Sequence, residues 1–474
     1  MNVARSIAKN AAVLFIAEAI SYVISFAIIV IIARYLGDSG LGKYSFVFAF
    51  AGIISIVSDI GFSSLAIRDI SKNPSLTEKY YSNIAAIKLI LGIFSVLITV
   101  IAGFFVSGGR EVIYSTFLAS AAMFFINYNK LFISLFRSYD VMEYESVARV
   151  AERIIALGLV FFVLMRGLGL FYLVLAFVAS NFIGTAVCLF FTSKKITKFR
   201  LNFDFKFWKY LISNSFPFWL TGIFLTLYFK IDTVMLSFIK DYSSVGIYNA
   251  AYKIIDTLSR IPFILVGVLF PIMSMSLSKS EAVLKNLYKK AFYYLSIIAI
   301  PIAVGITILS PRIIMFVYKN DFSESSVPLQ ILVWALALMF VNYTMGNLLN
   351  TINKQKLFTL SAGICALFNI TLNIILIPPY NYKGAAFATV LTEIINFSIL
   401  YFFVSRSGYS INILKSILRP LAAGSLMAIF LIYFGSYHLL IVIPLGALVY
   451  FASFLLIGGL SKEDYGIFKG VFKR

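Results

Sequence analysis

Histidine and cysteine are almost missing from this chain, and each shortage closes off a class of chemistry. The one histidine, His438, stands at the edge of a late apolar run. A histidine-based metal or catalytic site has nothing to be built from. The two cysteines, Cys188 and Cys365, fall inside apolar runs and read as small core residues. Neither a disulfide framework nor zinc-ligand spacing is present. Charge is scarce too, at 13% of residues, where a soluble domain carries about a quarter. Long polar loops are absent, and so is the Gly-x-x-x-x-Gly-Lys loop that cradles phosphates in ATPases. No carboxylate cluster sits on a sizeable loop to hold a metal and a sugar donor, which argues against a membrane glycosyltransferase or polymerase. The chain reads as a non-enzyme without a cofactor.

Hydrophobic length takes the place of these features. Of 474 residues, 61% are hydrophobic. A membrane-spanning helix needs about 20 consecutive, mostly apolar residues. Fourteen such runs lie near 11–34, 43–67, 83–106, 112–136, 146–165, 169–192, 211–237, 245–273, 287–309, 327–350, 357–378, 384–404, 414–434 and 438–458. The expected fold class is an all-α polytopic membrane protein in the cytoplasmic membrane. Arg5 and Lys9 precede the first run, which is long enough to span and to stay rather than be cleaved as a signal. The formal charge is +20. With no soluble stretch to form a basic face, that excess excludes nucleic acid and fits the concentration of Lys and Arg in cytoplasmic loops. Most of the cations fall on one side when both termini are placed inside, so the expected topology is N-in/C-in.

The most basic connection is "SKKITKFRLNFDFKFWKY", residues 193–210, with Lys194, Lys195, Lys198, Arg200, Lys206 and Lys209. It is expected to lie on anionic lipid headgroups and to join two lobes. A short internal repeat supports the division: Gly42-x-Tyr44 recurs as Gly246-x-Tyr248, 204 residues later. The expected organisation is an N-lobe of six spans over 1–192, the linker over 193–210, a C-lobe of six spans over 211–405, and two further spans with a cytoplasmic tail over 406–474. Duplicated halves with a binding site between them are a common transporter plan.

Ionisable residues inside spans are costly and mark function or pairing. Lys253, Asp256 and Arg260 share one face of the eighth run at i, i+3 and i+7, so Asp256 can bridge two cations. Asn127, Lys130, Ser134 and Arg137 make a similar stripe in the fourth run. In the seventh run, Lys230 and Asp232 are about 200° apart around a helix and point to different sides. Lys230, Lys253, Arg260, Lys130 and Arg137 are the candidate substrate-binding cations. Glu18, Asp59, Asp232 and Asp256 are candidates for coupling to a Na+ or H+ gradient, or for charge pairing. Lys88 and Glu393 read as isolated charges near span ends that snorkel or pair. Several Lys/Arg donors suit phosphate or pyrophosphate. Pro217, Pro262, Pro271 and Pro301 are candidate kinks.

The stretches "ARYLGDSGLGKYSF" (33–46), "DIGFSSLAIRDI" (59–70), "KIDTVMLSFIKDYSSVGIYNAAYKI" (230–254) and "LNIILIPPYNYKGAAFATVLTEI" (372–394) resemble the multidrug/oligosaccharidyl-lipid/polysaccharide (MOP) exporter superfamily. Within it the chain is most similar to the polysaccharide transporter, or Wzx-type, flippases. That resemblance implies two six-helix lobes rocking around a cavity. It implies flipping of polyprenyl-(pyro)phosphate-linked oligosaccharide for glycan biosynthesis, with basic cavity residues meeting the pyrophosphate. The implied partners are the lipid-linked substrate and anionic lipids, with glycan-assembly proteins as further candidates and a monomer as the expected state. Two alternatives stand beside it. A MATE-type cation-coupled exporter of small molecules has twelve spans. A lipid II flippase carries arginines in its first span, where this chain has Glu18 and no arginine before Arg34.

Overall fold

A computed structural model describes residues 2–106, 108–277 and 280–460, with side chains from Ile16 onward apart from Val268 and Pro271. The tail expected over 461–474 lies outside the described residues. Among those residues the regular structure is entirely helical. Among the described residues eleven helices are long and apolar enough to cross a membrane. The chain is a multi-pass membrane protein, and it falls into two compact units, Met1–Asn249 and Ala250–Arg474.

The first unit contains α1 (Asn2–Ile54), α2 (Phe62–Ile70), α3 (Thr77–Gly103), α4 (Gly109–Ser138), α5 (Met142–Met165), α6 (Leu170–Lys195), α7 (Phe205–Ile239) and the start of α8 (Tyr242–Leu258). The second takes the rest of α8, then α9 (Arg260–Leu277), α10 (Glu281–Tyr318), α11 (Ser326–Thr351), α12 (Gln355–Arg406), α13 (Ile413–Phe434) and α14 (Leu439–Leu456). α13 packs on α10 through Ile297, Ile300, Ala423 and Met427, and α14 joins them through Val442, Tyr450 and Phe454.

Two helices are far longer than one crossing, and each is interrupted once. α1 has a non-helical residue at Gly37, with φ 68° and ψ −171°. α12 has one at Asn381, with φ 55° and ψ −137°, just after Pro378 and Pro379. Lipid offers no hydrogen bonds, so helices recover their own backbone pairing right up to such joints. At the second joint a Cβ on Gly384 would run into the Leu376 carbonyl. Glycine there lets the chain fold back closely, and Ala385, Ala386 and Ala388 are fully buried behind it. The candidate kink prolines Pro217 and Pro301 sit inside α7 and α10, whose assigned helix runs on through both.

Packing between helices uses small residues to admit large ones, because apolar area drives little association within lipid. Gly92 of α3 is pressed by the Phe124 ring of α4, which a Cβ would meet at 2.5 Å. The core of α2, α3 and α4 is filled by Phe62, Leu65, Tyr81, Ile84, Phe132 and Leu135. The chain between α6 and α7 is docked onto the first turns of α3. Asn83 Oδ1 accepts from Asp204 N and Trp208 Nε1, both at 3.0 Å. Arg200 reaches Glu78 at 2.8 Å, and Lys79 lies over the Phe207 ring at 4.5 Å. Irregular chain covers only 196–204 of this connection.

The repeated motif makes a reciprocal contact. A Cβ on Gly42 would overlap the Tyr242 carbonyl, and one on Gly246 would overlap the Asp38 carbonyl. Ser243 Oγ donates to Asp38 Oδ2 across the same junction. Asp38 Oδ1 also caps Ser39 N at 2.6 Å, and Asp241 Oδ1 caps Ser244 N at 2.8 Å. Two helix starts therefore cross at backbone distance.

Candidate functional site

Between α1 and α2 the helix opens. Residues 55–58 tighten into a 3-10 turn, Asp59 leaves helical geometry at φ −129° and ψ 75°, and Gly61 takes φ 73°. Gly61 is needed twice, for that left-handed conformation and because a Cβ would stand 2.6 Å from Phe218 Cβ. Opening a helix in lipid frees carbonyls that must find donors. Asn127 Nδ2 gives a hydrogen bond to Ser55 O at 3.1 Å, and Trp219 Nε1 gives one to Ile56 O at 3.1 Å.

The opening presents the Asp59 carboxylate to two lysines. Lys88 Nζ donates to Oδ1 at 2.9 Å and Lys130 Nζ to Oδ2 at 2.9 Å. Lys88 also donates to Asn127 O at 2.9 Å, and its side chain is only 1% exposed. It neither snorkels nor stands alone. Asp59 is thus ion-paired on both carboxylate oxygens.

A second ionic group follows along α4 and α5. Arg137 Nε and Nη2 grip Glu145 at 2.9 and 2.8 Å, the bidentate geometry that suits guanidinium and carboxylate. Arg149 donates to the same Glu145 and comes within 4.0 Å of Glu18. One turn on, Glu152 approaches Arg153 at 3.7 Å. Asp59, Lys130, Arg137, Glu145, Arg149, Glu152 and Arg153 line one cavity of about 460 Å³ between α2, α4, α5 and α6. Lys130, Arg137, Arg149 and Arg153 face Asp59, Glu145 and Glu152, leaving one positive charge in excess. Asn129, Asn181, Ser63 and Ser134 add neutral hydrogen-bonding groups. The volume falls within the roughly 300–1,000 Å³ range of small-molecule sites.

Of the candidate binding cations, the structure brings Lys130 and Arg137 together here, and of the candidate carboxylates Asp59. Glu18 stands at the edge through Arg149. Glu145, Arg149, Glu152 and Arg153 are additions. Their i, i+4, i+7 and i+8 spacing is a signal in the sequence, but Glu145 falls just before the apolar run that begins near 146.

Lys230 and Asp232 part company, as their angular separation requires. Lys230 Nζ lies against Gly52 of α1, where a Cβ would overlap it. Asp232 is buried and accepts from Tyr248 OH at 2.8 Å. In the second unit, Asp256 takes Lys253 on Oδ2 and Arg260 on Oδ1, both at 3.1 Å. All three side chains stay between a quarter and two-fifths exposed. Glu393 is buried rather than terminal, and Asn342 Nδ2 donates to it at 2.6 Å. Among the described residues no group of three or more His, Cys, Asp or Glu could hold a metal ion.

The sequence matches the family model described as "Polysaccharide biosynthesis protein" over residues 7–277. The chain belongs to the polysaccharide transporter branch of the MOP exporter superfamily. A second family model, "Lipid II flippase MurJ", matches this MOP chain over residues 153–457. Among curated proteins, "Probable low-salt glycan biosynthesis flippase Agl15" of Haloferax volcanii is 26% identical over 400 residues, covering 84% of this chain and 82% of that one. The MOP fold recurs in solved structures. An inward-closed lipid II flippase MurJ superposes with TM-score 0.77 at 19% identity, over 97% of this chain and 99% of that one. An inward-facing MATE-family multidrug transporter superposes at 0.67 and 14% identity, over 84% and 98%.

Proposed function

We propose that the protein flips a polyprenyl-(pyro)phosphate-linked oligosaccharide across the cell membrane by alternating access, for glycan biosynthesis. The observation that carries this reading is the charged cavity of the first unit. It sets four cations around a space that admits a diphosphate and the first sugar, and it keeps hydroxyl and amide groups beside them. A drug exporter for organic cations has no use for that excess of guanidinium. The headgroup enters from the cytoplasmic side while the prenyl tail stays in lipid. Lys130, Arg137, Arg149 and Arg153 meet the phosphates, with the Lys253–Asp256–Arg260 stripe and Lys230 as further contacts. The similarity to a glycan biosynthesis flippase over most of both chains supports this substrate class.

A fourteen-span, N-in/C-in topology goes with it. Dividing α1 at Gly37 and α12 at Asn381, and counting the 24-residue α5, turns eleven candidate spans into fourteen. Lipid II is the second substrate reading, favoured by the MurJ model match over 153–457.

The test is reconstitution of the purified protein in vesicles, following a fluorescent lipid-linked oligosaccharide and, separately, a fluorescent lipid II. Transfer of the oligosaccharide lipid alone is the expected outcome. Transfer of lipid II alone would move the assignment to the second reading. Dye efflux without transfer of either would end both.

A further inference from the structure

Three carboxylates line the cavity of the first unit, and they are not held alike. Asp59 takes one lysine on each oxygen at 2.9 Å. Glu145 takes two hydrogen bonds from Arg137 and another from Arg149. Each of these two carboxylates is thus held by two cations through direct hydrogen bonds. Glu152 differs. Among the described residues it accepts no hydrogen bond, and its one cation contact is Arg153 at 3.7 Å. Its side chain is 12% exposed and wedged against α6, where a Cβ on Gly184 would meet its Cγ and Oε2 at 3.1 Å.

We propose that Glu152 takes up a proton when the cavity binds an anionic headgroup and gives it back on release, so that anion binding at this site is proton-linked. The inference rests on the anion-binding role given to the cavity above. With every group ionised the lining carries one positive charge in excess, and neutralising Glu152 raises that to two. An entering diphosphate repels the loosely held carboxylate and draws a proton to it. The proton comes from bulk water onto a Glu152 oxygen and returns to bulk water as the headgroup leaves. The charged and titratable groups around Glu152 come from four helices. On α5 they are Arg149, Arg153 and Glu145. On α6 there is Cys188, and on α4 Arg137 and Lys130. α1 contributes Glu18, reached through Arg149, and Tyr44, which interacts with Arg153. Of the carboxylates among them, Glu145 is already gripped by two arginines, and Glu18 lies outside the cavity lining.

The experiment is isothermal titration of the full-length protein in lipid nanodiscs with inorganic pyrophosphate, between pH 5.5 and 8.5, in buffers of differing ionisation heat. Pyrophosphate's own protons cancel between wild type and Glu152→Gln. Wild type should take up about one proton more than Glu152→Gln, with affinity rising relative to the variant by up to about tenfold per unit fall in pH. Glu152→Asp, which keeps a titratable group, should retain the linkage. Equal proton uptake in wild type and Glu152→Gln overturns the proposal, as does weaker binding by Glu152→Gln or no binding by wild type. Vesicle transfer separates this from the flippase reading. A failed transfer with the linkage intact ends that reading and leaves proton-linked binding standing. Transfer with an unchanged proton count ends the Glu152 proposal alone.

Discussion

Lys88 shows what one buried charge demands. Its ammonium is closed off from solvent and leans on Asp59, a backbone carbonyl and Ser63 Oγ at 3.4 Å. Taking away one partner of such a pair leaves an uncompensated charge and costs about 3–5 kcal/mol. Asp59→Asn should therefore lower the thermal midpoint in detergent sharply, while Asp59→Asn with Lys88→Met should recover much of the loss. Lys130 offers the control. It binds the same carboxylate but is 47% exposed, so Lys130→Gln should change stability by no more than about 1 kcal/mol. Legibility at this scale followed sequence distance. Lys253, Asp256 and Arg260 lie within two helical turns, and their shared face is simple arithmetic on a helix. Lys88 and Asp59 are 29 residues apart across a helix break, so nothing local announces the pair. Glu152 lay within an apolar run, yet its distinction is how weakly it is held, which only three dimensions display.

At the level of elements, most of the design is in how helices stop. Asp204 caps α7 by accepting from Phe207 N at 3.0 Å, and Asn83 then ties both Asp204 and Trp208 to α3. Asn83→Ala removes the acceptor of two hydrogen bonds at once. It should loosen segment 196–204, read as faster cleavage there by a protease added to detergent-purified protein. A second prediction concerns the crossing of the two helix starts. Gly42→Ala or Gly246→Ala puts a methyl group where a carbonyl already sits. Either change should reduce disulfide cross-linking between Asp38→Cys and Ser243→Cys, two positions whose side chains now touch. The helical runs themselves were plain in the sequence, since about 20 apolar residues leave few alternatives. The break at Asp59–Gly61 was not. Its stability depends on Asn127 and Trp219 arriving from α4 and α7 to take the freed carbonyls.

For the whole molecule, composition carried the class and the charge bias carried a topology. The proposed N-in/C-in arrangement has a direct check. Arg110 and Lys198 are both exposed, and the arrangement puts them on opposite sides. Cys188 and Cys365 are buried and should give little background. A membrane-impermeant maleimide added to intact cells should label Arg110→Cys and leave Lys198→Cys untouched. The reverse pattern would invert the topology.

The glycine crossing has a consequence for how the chain arose. Gly42 and Gly246 are 204 residues apart, and so are the two residues they lean on, Asp38 and Tyr242. Exchanging the copies maps each contact onto the other, which is the signature of an isologous seam. A chain built by duplication of one half predicts this arrangement, with one glycine and one leaned-on position per copy, the latter being Asp38 in the first and Tyr242 in the second.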